Sequence, residues 1–224
     1  MSTTVEPAIL AGLREFDSAT IFNAMVQKFG LPNEEYTDHS IRCLLPELGN
    51  VIGYAATAEV TTNDADSPAL PWIDYYDYLD QMAGPIVAVL KDVDARPGRG
   101  ASFGDGMATV HRRLNVVGAI VDGTVRDLAG IRKVGLPIWA WGTVPGHGAF
   151  HVTRFNTPIT VGQVRVRPGD LIFADSDGCV RIPIEHAADI LRLAGEVRRN
   201  EAEIFAFYNS PDFSVAKMRE RSRA

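Results

Sequence analysis

Cysteine is scarce: the 224 residues hold two, Cys43 and Cys179. They show neither metal-ligand spacing nor a framework of bridges, which excludes a disulfide-stapled scaffold. Two reduced, buried thiols in a cytoplasmic protein are the expectation. Positive charge is short as well. Lys and Arg number 22 against 28 Asp and Glu, for a net charge of -6. That argues against a general binder of nucleic acid or of anionic membranes, which carries a basic patch. No apolar stretch reaches the length of a bilayer span. The opening MSTTVEPAIL lacks a basic region followed by an apolar run, so no signal peptide is expected. No internal repeat and no low-complexity tract is present. Hydrophobic residues, by contrast, make up 46% of the chain. That suffices for one core, and residues 1–224 are expected to form a single unit.

The hydrophobic pattern predicts elements in turn. Residues 7–30 read as an amphipathic helix or helix pair, with Ser18 to Thr20 capping the second half and Ile21, Ala24 and Met25 at helical spacing. Residues 51–60 read as a strand in which Gly53 marks a bulge or a close approach. A loop over 61–71 and a helix from Trp72 to Met82 follow. The middle alternates: strand 86–90, glycine-rich loop 94–104, helix 105–115, strand 116–121 ended by Asp122 and Gly123, helix 125–134 and strand 138–141. This rhythm predicts a parallel sheet segment with right-handed crossovers. Beyond it come a long loop over 143–156 and short strands at 159–161, 163–167, 171–174 and 180–183. A helix over about 185–208 and a loosely ordered end past Pro211 complete the reading.

Four groups of residues carry candidate chemistry. Gly98, Gly100, Gly104 and Gly106 lie between a strand and a helix, but their spacing is not that of a dinucleotide loop and no Walker lysine follows, so a turn explains them as well. Asp105 is either a helix cap or a carboxylate at the carboxyl end of a parallel strand, where α/β sheets place ligands. In the second reading the backbone N–H groups of Gly106 and Met107 face the same crevice and suit a substrate carboxylate. Arg126 and Asp127 are either a surface ion pair or a working pair. In the latter the arginine fork grips a carboxylate or enolate and the aspartate gives hard oxygen to Mg²⁺. His147 and His151, with His111 and His186, are either metal ligands or solvated loop residues. The turn from Asp175 to Gly178 has a fragment of a calcium loop and reads better as a hairpin turn.

Asp105, followed after 20 residues by Arg126 and Asp127, resembles the signature of the RraA-like family, which includes 4-hydroxy-4-methyl-2-oxoglutarate/4-carboxy-4-hydroxy-2-oxoadipate aldolases. Gly53, Ala55 and Thr57 are similar to the family's early strand. Gly104 to Ala108 is similar to its helix start, and Gly118 to Gly123 to the approach to the Arg–Asp pair. Gly169-Asp170 and the run Asp175 to Pro183 are similar to its ending. The resemblance extends from about Ser18 to the last helix. It implies an α/β, ββα layered fold of the swivelling-domain type with N-terminal and C-terminal helices, assembled as trimers or hexamers. It also implies a class II pyruvate aldolase or oxaloacetate decarboxylase, with a small 2-oxo acid as substrate and Mg²⁺ or Mn²⁺ as cofactor. On that resemblance Asp127 binds the metal, Asp105 holds metal-bound water, and Arg126 with the N–H groups of Gly106 and Met107 grips the pyruvyl part. Glu201 of a neighbouring subunit, or Glu203 beside it, completes the outer shell. No lysine stands where a Schiff base is suggested, which favours the metal route. The chain departs from the family at Asn23, where Asp is frequent, in the loop Pro145 to His151, and over 61–85 with Trp72, Tyr75, Tyr76 and Tyr78. These segments are expected to face the distal end of the substrate. A different class stays open: a non-catalytic regulator like the branch that modulates ribonuclease E. A methyltransferase is not expected, because no strand leads into an adenosylmethionine-type glycine loop.

Overall fold

The computed structural model describes residues 4–221; positions 1–3 and 222–224, at the two ends of the readings above, lie outside it. In chain order the helices and strands are α1 (Pro7–Leu13), α2 (Ser18–Phe29), β1 (Arg42–Cys43), β2 (Val51–Thr61), α3 (Trp72–Asp80), β3 (Ile86–Asp92), α4 (Asp105–Arg113) and β4 (Val116–Val125). Then come α5 (Leu128–Val134), β5 (Ile138–Thr143), β6 (His151–Phe155), β7 (Ile159–Val161), β8 (Val164–Val166), β9 (Leu171–Ala174), β10 (Cys179–Ile182), α6 (Ala187–Tyr208) and α7 (Val215–Arg221).

Among the described residues the main sheet runs β1-β5-β4-β3-β2-β9-β10, and β7 pairs with β8 apart from it. Strands β2, β3, β4 and β5 are mutually parallel, as the alternating middle predicted. Strand β2 is long and is used twice on its other edge. Val51–Tyr54 pairs antiparallel with β9, and Ala58–Thr61 pairs antiparallel with β6. Gly53 is a close approach rather than a bulge: a Cβ there would lie 2.6 Å from the Pro85 carbonyl oxygen.

The side-chain period of two gives each strand two faces. Ala56, Ala58, Val60, Ala88, Leu90, Ala119 and Val121 pack in one cluster with Tyr75 and Leu79 of α3, Ala108 of α4 and Ile131 of α5. Further along, Ile52, Tyr54, Leu171 and Phe173 meet α1, α2 and α6. Val87, Val89, Ile120 and Trp139 point the opposite way and are covered by Ile159, Val161, Val164 and Val166 of the small hairpin.

Several expectations need correction. The 7–30 segment is the helix pair that one of its two readings expected, but the cap of α2 is Asp17, whose carboxylate accepts the Thr20 N–H at 2.7 Å. Ser18 instead donates both its N–H and its hydroxyl to Asp175, at 2.7 and 2.8 Å. Strand β4 does not stop at Asp122. That carboxylate is buried and accepts from Trp141 Nε1 at 2.8 Å, so the strand continues to Val125. The 143–156 loop contains β6, which adds to the free edge of β2. The tail past Pro211 forms α7, held where Phe213 packs against Phe207 and Tyr208 and the Arg221 guanidinium sits 4.4 Å over the Phe207 ring. Among the described residues no helix is long and apolar enough to cross a membrane.

Candidate active site

The parallel strands deliver their carboxyl ends to one edge, and the chain there is held by a short extension of the sheet. Ser102 N–H donates to the Thr124 carbonyl at 2.7 Å, and Arg126 N–H donates to the Phe103 carbonyl at 2.9 Å. These two bonds place the start of α4 beside the end of β4. Ala101, Phe103, Gly104, Asp105, Gly106, Met107, Arg126, Asp127, His147 and Phe150 line a pocket of about 240 Å³ there.

Asp105 is the first residue of α4, and the cap is Gly104, which has no side chain to offer. The capping reading of Asp105 is therefore wrong in its detail, and its carboxylate is free of that task. Its side chain lies instead against α5. A Cβ at residue 130 would lie 2.6 Å from the Cβ of Asp105, so only glycine lets the two helices approach so closely. Gly130 was legible in the sequence only as a residue inside a helix. The first N–H groups of α4, those of Asp105, Gly106 and Met107, have no carbonyl one turn earlier to bond and stand at the positive end of the helix.

Asp127 caps α5 from the left-handed region, with φ 59° and ψ 37°, and its side chain makes no capping bond. A non-glycine residue there costs about 1–2 kcal/mol, although Asp tolerates it better than most. Backbone strain of this kind is concentrated at working sites. The side chain is turned instead to Arg126, whose Nε lies 3.2 Å from Asp127 Oδ2, and both side chains are more than one-third exposed. As a bridge between exposed groups this pair contributes little to stability.

Behind the pocket, α4 is tied to α3. Met107 O can only accept, so His111 Nδ1 donates to it at 2.8 Å and the Tyr75 hydroxyl donates to His111 Nε2 at 3.1 Å. Both side chains are fully buried. Burial pushes the Tyr75 phenol well up. Burial also holds the His111 imidazole down at about 4 against its ordinary 6.5, outweighing the opposing bond to Met107. The loop leading to α4 is built by two buried acids. Asp92 accepts N–H bonds from Gly98 and Asp94, and Asp94 accepts from Thr61, Asn63, Asp64 and Arg96. Burial raises the Asp92 carboxyl despite those bonds. The glycines at 98–104 thus belong to an acid-organised turn, as the turn reading expected.

The structure brings together Asp105, Gly106, Met107, Arg126 and Asp127. Glu201 lies elsewhere within the chain: it sits on α6 and accepts from Asn23 of α2 at 3.4 Å. Glu203 is exposed on the same helix. The four histidines do not converge. His111 is in the core, His151 is on β6, and His186 meets the Phe29 ring; His147 alone of them lines the pocket. Among the described residues no three His, Cys, Asp or Glu side chains gather into a cage for a metal. The Asp175–Gly178 turn is a hairpin turn between β9 and β10, with Asp175 engaged by Ser18.

Compared with known proteins, residues 18–181 match the family model described as RraA-like, Aldolase/RraA. A protein of Halalkalibacterium halodurans, provisionally named 4-hydroxy-4-methyl-2-oxoglutarate aldolase, is 30% identical over 151 residues, covering 67% of this chain and 68% of its own. An uncharacterized protein of Pseudomonas syringae has a similar structure, with TM-score 0.78 and 21% identity over 99% of this chain and 97% of that one. The Streptomyces coelicolor protein RraAS2, described as an unusual member of the RNase ES inhibitor RraA protein family, has TM-score 0.72 and 26% identity over 91% and 98%. The mixed α/β fold is common to this chain and these structures.

Proposed function

This chain belongs to the RraA-like family, and on that footing we propose that it is a divalent-metal-dependent lyase that cleaves a carbon–carbon bond of a small 2-oxo acid to release pyruvate. The reaction is retro-aldol cleavage of a 4-hydroxy-2-oxo acid, decarboxylation of oxaloacetate, or both. One observation carries the reading: Asp105, Arg126, Asp127 and the first turn of α4 share one pocket at the strand ends.

The donor set fits Mg²⁺ or Mn²⁺. Two carboxylates give hard oxygen, and Mg²⁺ is commonly held by one or two carboxylates with water and substrate completing the shell. A closed zinc cage would need more ligands than gather here among the described residues. Asp127 would bind the ion directly and Asp105 would hold its water; when bound, the ion would supply Lewis-acid polarisation of the 2-oxo group.

The chain's own residues do the rest. The N–H groups of Gly106 and Met107 receive the substrate carboxylate, where the helix dipole favours an anion. The Arg126 guanidinium offers a planar fork to the same end of the substrate. As the C3–C4 bond breaks, its electron pair passes to the pyruvyl part, and negative charge grows on the C2 oxygen. Arg126 is held ready for that charge by its main-chain bond to Phe103 and its contact with Asp127. Such preorganised charge stabilisation contributes about 3–4 kcal/mol for one well-placed donor.

A non-catalytic regulator like the RNase inhibitors of the family is the other reading. Such a binder has no use for the Asp105 carboxylate and the Arg126–Asp127 pair gathered at one pocket mouth, which favours the enzyme. The proposal includes self-association as a trimer or hexamer, in which Glu201 of a neighbour completes the site. The six large apolar side chains exposed from Ile204 to Met218, next to Glu201, support it, since clustered exposed apolar surface marks an interface. Pyruvate release measured over a panel of 2-oxo acids, with Mg²⁺, with Mn²⁺ and in EDTA, tests the proposal. Activity should vanish in EDTA and return with either ion. Turnover in EDTA above the uncatalysed rate would end the metal mechanism.

A further inference from the structure

We infer that His147 is the base that removes the C4 hydroxyl proton in retro-aldol cleavage, an inference that rests on the lyase reading of the pocket. The pocket is lined by four ionisable side chains: Asp105, Arg126, Asp127 and His147. Arginine cannot accept a proton. The two aspartates are given to the metal and its water. His147 is the remaining group with a lone pair to offer.

Its presentation is not left to a loose loop. The residue before it, Gly146, accepts the Ala101 N–H at 2.9 Å, and the residue after it, Gly148, donates to the Thr62 carbonyl at 2.8 Å. Ala101 belongs to the pocket wall itself, so the loop carrying His147 is fastened to the segment that leads into α4, four residues before Asp105. Downstream, Phe150 stacks on Trp72 at 4.7 Å between ring centroids, and its carbonyl accepts the Trp72 Nε1–H at 3.4 Å. The tautomer follows from a bond within the loop. His147 Nδ1 lies 2.9 Å from the Gly148 carbonyl, which can only accept. Nδ1 therefore carries the proton, and Nε2 holds the lone pair, as a base requires.

The step balances. The C4 hydroxyl proton passes to Nε2 as the C3–C4 bond breaks. C4 becomes the carbonyl carbon of the leaving fragment, and the bond's electron pair leaves C3 as part of the pyruvate enolate. Solvent protonates C3 to give pyruvate, and the imidazolium returns its proton to solvent, so no net proton is gained or lost. The Phe150 ring, 6.0 Å from His147, lies against the same distal region.

Oxaloacetate provides the control, because its decarboxylation breaks the C3–C4 bond with no hydroxyl proton to remove. The full chain with Mg²⁺ is assayed on oxaloacetate and on 4-hydroxy-4-methyl-2-oxoglutarate, as wild type, His147→Gln and His147→Ala. In both variants kcat for the aldol substrate should fall by about 100-fold or more, the usual contribution of a general base. Oxaloacetate decarboxylation should fall at least about tenfold less than aldol cleavage, and that split between the two substrates is what separates a base from a structural residue. Added imidazole should restore part of the aldol cleavage by His147→Ala. Equal loss on both substrates would make His147 a structural residue and overturn the inference, as would unimpaired aldol cleavage. A wild type inactive on both substrates with either metal would instead defeat the lyase reading, and the inference with it.

Discussion

At the scale of single residues, the role proposed for this pocket is set against backbone comfort. Asp127 sits at φ 59° without using its side chain to cap the helix it precedes. Asn tolerates the left-handed region about as well, so Asp127→Asn should keep the fold while losing metal affinity and lyase activity. Asp127→Gly should unfold at higher denaturant, by about 1 kcal/mol, because glycine carries no penalty there. Both variants should be inactive. An active Asp127→Gly in a pyruvate-release assay would remove Asp127 from the mechanism. The sequence made the residue types of this site legible, because Asp105 and the Arg126–Asp127 pair fall at two strand ends with the spacing that resembles the family's signature. It did not make their support legible. Gly130 reads like any glycine in a helix until Asp105 is seen against it. Asp122 reads as the end of a strand because it is charged, yet Trp141 and Lys91 satisfy it inside.

At the scale of elements, α4 is the part that must be held still, and the bond from its His111 to Tyr75 of α3 does so at a cost that depends on pH. The buried imidazole stays neutral down to about 4 in the folded chain, while in the unfolded chain it titrates at its ordinary 6.5. Between those values the unfolded state binds the proton that the folded state refuses. The contribution of this group is fully present above 6.5 and is lost as pH falls toward 4. At pH 5 the loss is on the order of 2 kcal/mol. His111→Gln, which leaves Tyr75 an acceptor, should show a shallower decline in urea-unfolding stability from pH 7 to pH 5. Equal slopes for the two proteins would show that His111 is not the group responsible. Helices and central strands were legible in the sequence because hydrophobic periodicity reports them. Strand β6 was not, since only Val152 and Phe155 of its five residues are apolar and Thr153 and Arg154 break the alternation that marks a strand; it owes its conformation to the free edge of β2.

At the scale of the whole molecule, the carboxylate proposed to complete the site and the pocket itself lie on different parts of one chain. Arg126→Ala and Glu201→Ala should each be nearly inactive. Unfolding the two together and refolding the mixture should recover part of the activity, because some pockets would then draw both intact residues from different subunits. Absence of recovery, with subunit exchange demonstrated and both variants inactive alone, would place both residues in one subunit's site. Sheet topology has a separate consequence for how this protein is made. Strand β2 gains one neighbour, β3, within about forty positions, but the partners of its other edge are β6 at His151–Phe155 and β9 at Leu171–Ala174. During synthesis that edge, in a strand almost wholly buried in the folded chain, stays open until the last third of the chain leaves the ribosome. An open edge is a template for pairing with other chains. Nascent chains that stall between β3 and β9 are therefore the species on which chaperones would act and from which aggregates would grow.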